Sequence, residues 1–279
     1  MRRIFLFMAG ICVGLFIASH AHAVAWQVSV DNTSGGAIFK VDQTVSGDNE
    51  ASDWSGFYNK TTFRLGDFDN ENFEGDIHFG MFFTSKATEK WKTNEIEYQT
   101  NDMSFWGFDT GLDVGWAFPI EAVSDFASEE ITIVLTPLVG YKWKFMRFTS
   151  SNLTKSNAAV DTKAYDSDCN IHCVDVGGRV GLEINDQWEV FAKPIFGIVV
   201  ANSSYTDEYD IGTISGGGGL VFDFDTGVNY AITEDLILGA MFAMEIQRLK
   251  GGTNDAGFSW LDNSLDVYGG ELRLAYKFD

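Results

Sequence analysis

Three groupings in this sequence bring chemistry-bearing side chains to close spacing. The first is Glu95-Ile96-Glu97, which follows Lys86, Lys90 and Lys92. The second is Tyr205-Thr206-Asp207-Glu208-Tyr209-Asp210. Carboxylates two residues apart share one face of an extended chain. Two such groups facing one another could bind basic peptides or cations, with Glu208, Tyr209 and Asp210 as binding residues; equally, such charges form an ordinary solvated surface. The third grouping is Cys169, His172 and Cys173. Two thiols and one imidazole without a second cluster make a weak zinc set, so no metal is expected there. The pair reads as free thiols or as a disulfide closing a very short loop, with Cys169 and Cys173 the disulfide candidate. Gly216 to Gly219 is not a phosphate loop, because no Lys-Ser/Thr and no helix follow it. No cofactor motif is present, and no cofactor is expected.

The chain must position these residues. It has 279 residues, 40 Asp+Glu against 19 Lys+Arg and a net charge of -21, which argues against a nucleic-acid partner. With 24 Phe, 9 Tyr and 8 Trp against 3 Pro, it carries too much apolar surface to stay disordered. Residues 1–23 run from Arg2 and Arg3 through an apolar stretch to Ala21-His22-Ala23, the pattern of a cleaved secretory signal peptide. Residues 24–279 then form a single domain, a length that suits one β-barrel.

Periodicity of two governs that domain. Between residues 103 and 118 the even positions are mostly apolar and aromatic, among them Trp106, Phe108, Leu112, Val114 and Trp116. The odd positions include Gly107, Asp109, Gly111, Asp113 and Gly115. The same alternation recurs at 172–184, 217–230, 236–249 and 264–278. Ten strands follow, at 37–45, 60–68, 73–84, 103–118, 131–148, 172–184, 188–202, 217–230, 236–249 and 264–278. Segment 24–36 is unplaced, although Trp26, Val28 and Val30 alternate and can extend the first strand. Pro137 and Pro194 fall inside strands, where the missing N–H predicts bulges or a shifted register.

Connections alternate between short ones (69–72, 185–187, 231–235) and long polar ones (46–59, 85–102, 149–171, 203–216, 250–263), with 119–130 of medium length. Trp116, Phe118, Trp188, Tyr230, Tyr276 and Phe278 cluster beside the short turns, and Trp106, Phe145, Phe148 and Tyr268 lie towards the other rim. These are the marks of an all-β antiparallel transmembrane barrel with short periplasmic turns, long extracellular loops and two aromatic girdles. The setting is a bacterial outer membrane, where outer-membrane lipids, lipopolysaccharide and the assembly machinery are the partners. A ten-stranded barrel is nearly filled by its own side chains. The inward parity gathers Asp109, Asp113, Asp175, Arg179, Glu183, Glu189, Lys193, Asp223, Asp225, Glu245, Glu271, Arg273 and Lys277, read as a packed polar core rather than a cation path.

The order of strands and loops, with Ser52-Asp53-Trp54, Phe108-Asp109, Leu138-Val139-Gly140-Tyr141 and the terminal Tyr276-Lys277-Phe278, resembles the omptins. The omptins are ten-stranded outer-membrane proteases that cut between basic residues with a carboxylate pair opposite an Asp-His pair. The resemblance places Glu95 and Glu97 at the carboxylate pair and Asp207 at the Asp of the Asp-His pair, as catalytic residues of an endopeptidase acting on basic peptides. Tyr209 then stands where the family has histidine. A phenol titrating near 10 is poorly matched to the work of an imidazole near 6.5. The favoured expectation is therefore a non-enzymatic barrel whose acidic loops act in adhesion to a host surface, ligand binding or envelope structure.

Overall fold

In the computed structural model the described residues are 26–45, 48–66, 72–122, 131–155, 158–161, 165–185, 187–206, 212–253, 259–260 and 262–278. The expected signal peptide, residues 1–23, lies outside them. Ten long strands build the wall: β1 (Trp26–Val45), β2 (Asp48–Gly66), β3 (Phe73–Thr84), β4 (Ile96–Trp116), β5 (Ile131–Lys155), β6 (Tyr165–Ile184), β7 (Trp188–Thr206), β8 (Gly219–Ala231), β9 (Leu236–Leu249) and β10 (Asn263–Phe278). Each pairs antiparallel with its chain neighbours. The first and last strands also pair, from Trp26 opposite Phe278 to Val41 opposite Asn263, which closes the barrel and leaves its wall no free edge.

All ten expected strands are present, and most are longer than the sequence pattern shows. Segment 24–36 belongs to β1 from Trp26 onward. Much of what reads as loop at 46–59, 85–102 and 149–171 is strand that carries the wall beyond the apolar belt. A short strand, Ala87–Thr93, pairs with both β2 and β4 there. At the opposite, turn end, Phe118–Ala122 pairs with Ile131–Leu135, so the medium connection is also partly a hairpin.

Neither proline makes a bulge. Pro137 pairs with Gly178 in unbroken register. At Pro194 the ladder to β6 lapses between Ala192 and Ile195 and resumes in the same register. Gly177 and Gly178, which carry no side chains, lie beside both prolines. The register shift of β7 against β6 falls instead between Val199 and Ala201. Val200 and Ala201 both face outward, after which Asn202 and Ser204 point inward.

Apolar side chains cover the outside, among them Val30, Phe63, Met81, Leu112, Val139, Val176, Phe196, Ile198, Leu220, Leu238 and Leu274. Exposed Trp116, Phe118, Trp188, Tyr276 and Phe278 ring the turn end, and Trp106 and Tyr268 stand at the loop end. Phe148 is a correction to the second ring. It lies three residues from Phe145, so the two take opposite faces of β5, and Phe148 is buried inside the barrel.

Candidate functional site

Inward side chains divide the lumen into two layers. The turn-end half is charged. Asp31 of β1, fully buried, accepts from Arg64 on β2 at 2.6 Å and from Arg273 on β10 at 2.8 Å. Arg64 also reaches Asp76 at 2.8 Å. Other pairs cross the lumen: Lys193 of β7 to Asp113 of β4 at 2.9 Å, and Lys142 of β5 to Asp223 of β8 at 2.5 Å. Lys144 of β5 bonds Glu245 of β9, almost diametrically opposite. Lys60 holds Asp109 at 2.6 Å, and Arg179 holds Glu189. Inward glycines make room for these heads: a Cβ at Gly140 or Gly197 would press on the carboxylate of Asp113 or Asp175.

The loop-end half of the lumen is apolar. Phe39, Trp54, Phe82, Met103, Phe105, Met146, Phe148, Ile171, Val199, Leu249 and Leu265 form one buried cluster within the barrel. Phe105 is its centre, with ring centroids 5.2 Å from Trp54 and 5.3 Å from Phe148. Trp54 donates its indole N–H to the Met103 carbonyl at 2.9 Å, so the polar atom of the ring is satisfied. The cluster plugs the lumen between the charged half and the loop-end rim.

Cys169 and Cys173 belong to this plug and are free thiols. Four residues apart on one strand, they are separated by roughly 13 Å, beyond disulfide reach. The structure thus replaces the disulfide candidate with two buried thiols. His172 lies on the other face of β6, where its Nδ1 meets the Tyr141 hydroxyl at 2.5 Å and its ring stacks on Trp143, so it shares no site with the cysteines.

Glu95 and Glu97 sit at the tip of the projecting hairpin made by Ala87–Thr93 and β4. Asn94 and Glu95 form its two-residue turn, both with positive φ (48° and 68°), the backbone of a type I′ hairpin. Glu97 lies 3.6 Å from Lys90. Asp207, Glu208, Tyr209 and Asp210 lie outside the described residues. Below the tip, buried Glu89 accepts from Ser52 and Asn101, each at 2.8 Å. Two rim carboxyls are held below the usual range: Asp102 by the Asn152 amide and then Lys86, and Asp262 by the Gly251 N–H and then Lys250.

Sequence reasoning missed Asp31, Lys60, Arg64, Asp76, His78, Lys142 and Lys144 as lumen residues. Parity carried from a registered neighbour would have found them. Arg64 is opposite His78, Asp31 opposite Arg273, and Lys144 opposite Asp109.

No protein-family model matches this chain, and no curated protein matches it. Among solved structures, it is similar to the outer membrane protease OmpT from Escherichia coli. The TM-score is 0.54 at 9% identity, over 91% of this chain and 96% of that one. The fold is an omptin-like transmembrane barrel. At this identity the likeness concerns architecture alone. The translocator domain of the autotransporter NalP from Neisseria meningitidis covers 98% of this chain and 96% of its own at 13% identity. Its TM-score is 0.39.

Proposed function

We propose that this protein is a bacterial outer-membrane barrel that acts at the cell surface as a non-enzymatic binding or structural element. In this reading the turn end faces the periplasm, and the extended acidic rim faces outward to meet basic peptides or a host surface. The wall is solvated by outer-membrane lipids, including lipopolysaccharide, after export by the signal peptide and insertion by the assembly machinery. The observation that carries the reading is the filled lumen. Cross-lumen ion pairs and the Phe105-centred plug occupy the space a diffusion channel needs, leaving the rim as the working surface.

The test uses the mature chain refolded with lipopolysaccharide and checked by heat-dependent gel migration. Planar-bilayer recordings are expected to show no steady conductance. Basic peptides are expected to bind in a salt-sensitive way and to remain uncut. Turnover of a dibasic fluorogenic peptide that disappears in Asp207→Ala or Glu97→Ala would replace this reading with an endopeptidase. A stable open channel would replace it with a pore.

A further inference from the structure

Two cavities, of about 140 and 90 Å³, meet in the charged half of the lumen, where Arg64, Asp113, Lys193 and Asp225 line both. The larger reaches the turn end between Gln27, Gly66 and Gly75. The smaller lies deeper and ends beneath the plug at Tyr58 and Val267. Together they make one blind chamber open at the turn end.

Its charges do not balance. Lys60, Arg64, Lys142, Arg179, Lys193 and Arg273 each have a carboxylate within 4 Å. Asp175, Asp225 and Glu271 have no cation at that distance among the described residues, and Glu271 accepts instead from the Thr33 hydroxyl. Asp175 is 4% exposed, lines the deeper cavity, and its Oδ1 is buried without a hydrogen-bond partner. Taking a carboxylate out of water is costly unless a counter-charge or donors meet it. This side chain is therefore the strongest cation-seeking point in the chamber.

We propose that the chamber binds a small organic cation, a primary ammonium on a short alkyl chain. It enters from the turn end past Asp225 and sets its –NH3+ group against Asp175. The lining selects this chemistry over a metal ion. Among the described residues no three His, Cys, Asp or Glu side chains converge as metal ligands. Tyr58, Ile195 and Val267 give the deeper cavity an apolar wall that suits methylene groups better than a hydrated ion. An ammonium in the deeper cavity brings the counter-charge and donors that the Asp175 carboxylate lacks, Oδ1 itself being packed against Gly197. The inference is independent of what the outer rim does, since chamber and rim lie on opposite sides of the plug.

The experiment is titration calorimetry of the refolded mature chain in detergent, with 1,4-diaminobutane as the probe and magnesium chloride at matched ionic strength as the comparator. The expected result is saturable binding with a Kd between about 10 μM and 1 mM. Affinity should fall at least tenfold in Asp175→Asn and less in Asp225→Asn, and stay unchanged in the outward-facing Asp168→Asn. The amine should also raise the temperature of the folded-to-unfolded gel shift in the parent protein. If Asp175→Asn does not fold, Asp225→Asn and that shift carry the test. Absence of binding in folded protein, equal affinity in Asp175→Asn, or equal binding of magnesium overturns the proposal.

Discussion

Removing one carboxylate at the closing seam is the sharpest test of how this barrel is held. Asp31 is 0% exposed and takes both Arg64 and Arg273, whose side chains are 18% and 17% exposed. Asp31→Ala leaves the two guanidiniums facing one another across the junction of β10, β1 and β2. Arg64 keeps Asp76. Arg273 keeps no carboxylate within 4 Å among the described residues. Breaking a buried pair by deleting one partner costs about 3–5 kcal/mol, most of it from the charge left uncompensated. With one of two arginines still paired, the low end of that range, about 3 kcal/mol, is the expected loss. Asp31→Asn keeps an acceptor and is expected to lose less. Adding Arg273→Met to Asp31→Ala removes the stranded charge, and about half the loss should return, a coupling that a double-mutant cycle reads directly. Urea unfolding in lipid vesicles, followed by tryptophan fluorescence and gel migration, measures each variant. A loss below about 1 kcal/mol, as for an exposed pair, would refute the argument that the triad holds the seam.

Phe105→Ala empties the middle of the plug and is expected to cost about 3–5 kcal/mol in the same urea assay. The thiols of Cys169 and Cys173 should resist a bulky maleimide in the folded barrel, react fully after unfolding, and show no mass change on reduction. Because the folded pKa values of Asp102 and Asp262 are depressed, their stabilisation of the rim is complete above the unfolded value near 3.9 and is lost as pH falls through the folded value. Hydrogen exchange, corrected for intrinsic rates, should therefore show the rim hairpins equally protected from pH 7 to about 5 and less so below about 4. Equal protection at pH 3 and pH 7 would count against the rim contacts.

The wall was legible where its two faces differ in polarity. At 103–118, aromatic residues alternate with glycine and aspartate, because one face meets lipid and the other a charged lumen. Above the belt that contrast disappears. Ala87–Thr93 and Thr149–Lys155 are strands in which polar residues dominate, Glu89 lying on the same face as Ala87 and Trp91, and their composition is that of a loop. The plug is hidden for the opposite reason. In Phe145-Met146-Arg147-Phe148 both faces carry bulky groups, so Phe148 passes for a girdle residue while it packs on Phe105. The charged lumen was half legible. Asp109, Asp113 and Asp223 follow from parity within their own strands. Their partners Lys60, Lys193 and Lys142 come from strands far along the chain, and only register and closure bring them together. The tight geometry of Asp31 with Arg64 and Arg273 follows from pairing of the first strand with the last, a contact no local pattern contains.

The plug has a thermal consequence. Side chains on the outside of the wall stay in lipid whether or not neighbouring strands separate, so water is not their alternative solvent. Phe105, Phe148, Trp54 and their neighbours face water when the lumen opens, as the core of a soluble protein does. Their burial therefore carries the heat-capacity signature of apolar hydration. Cooling weakens that contribution and leaves the lipid-facing wall largely unaffected. The loop-end half of the barrel is thus the cold-sensitive half, a small water-governed core inside a shell governed by lipid.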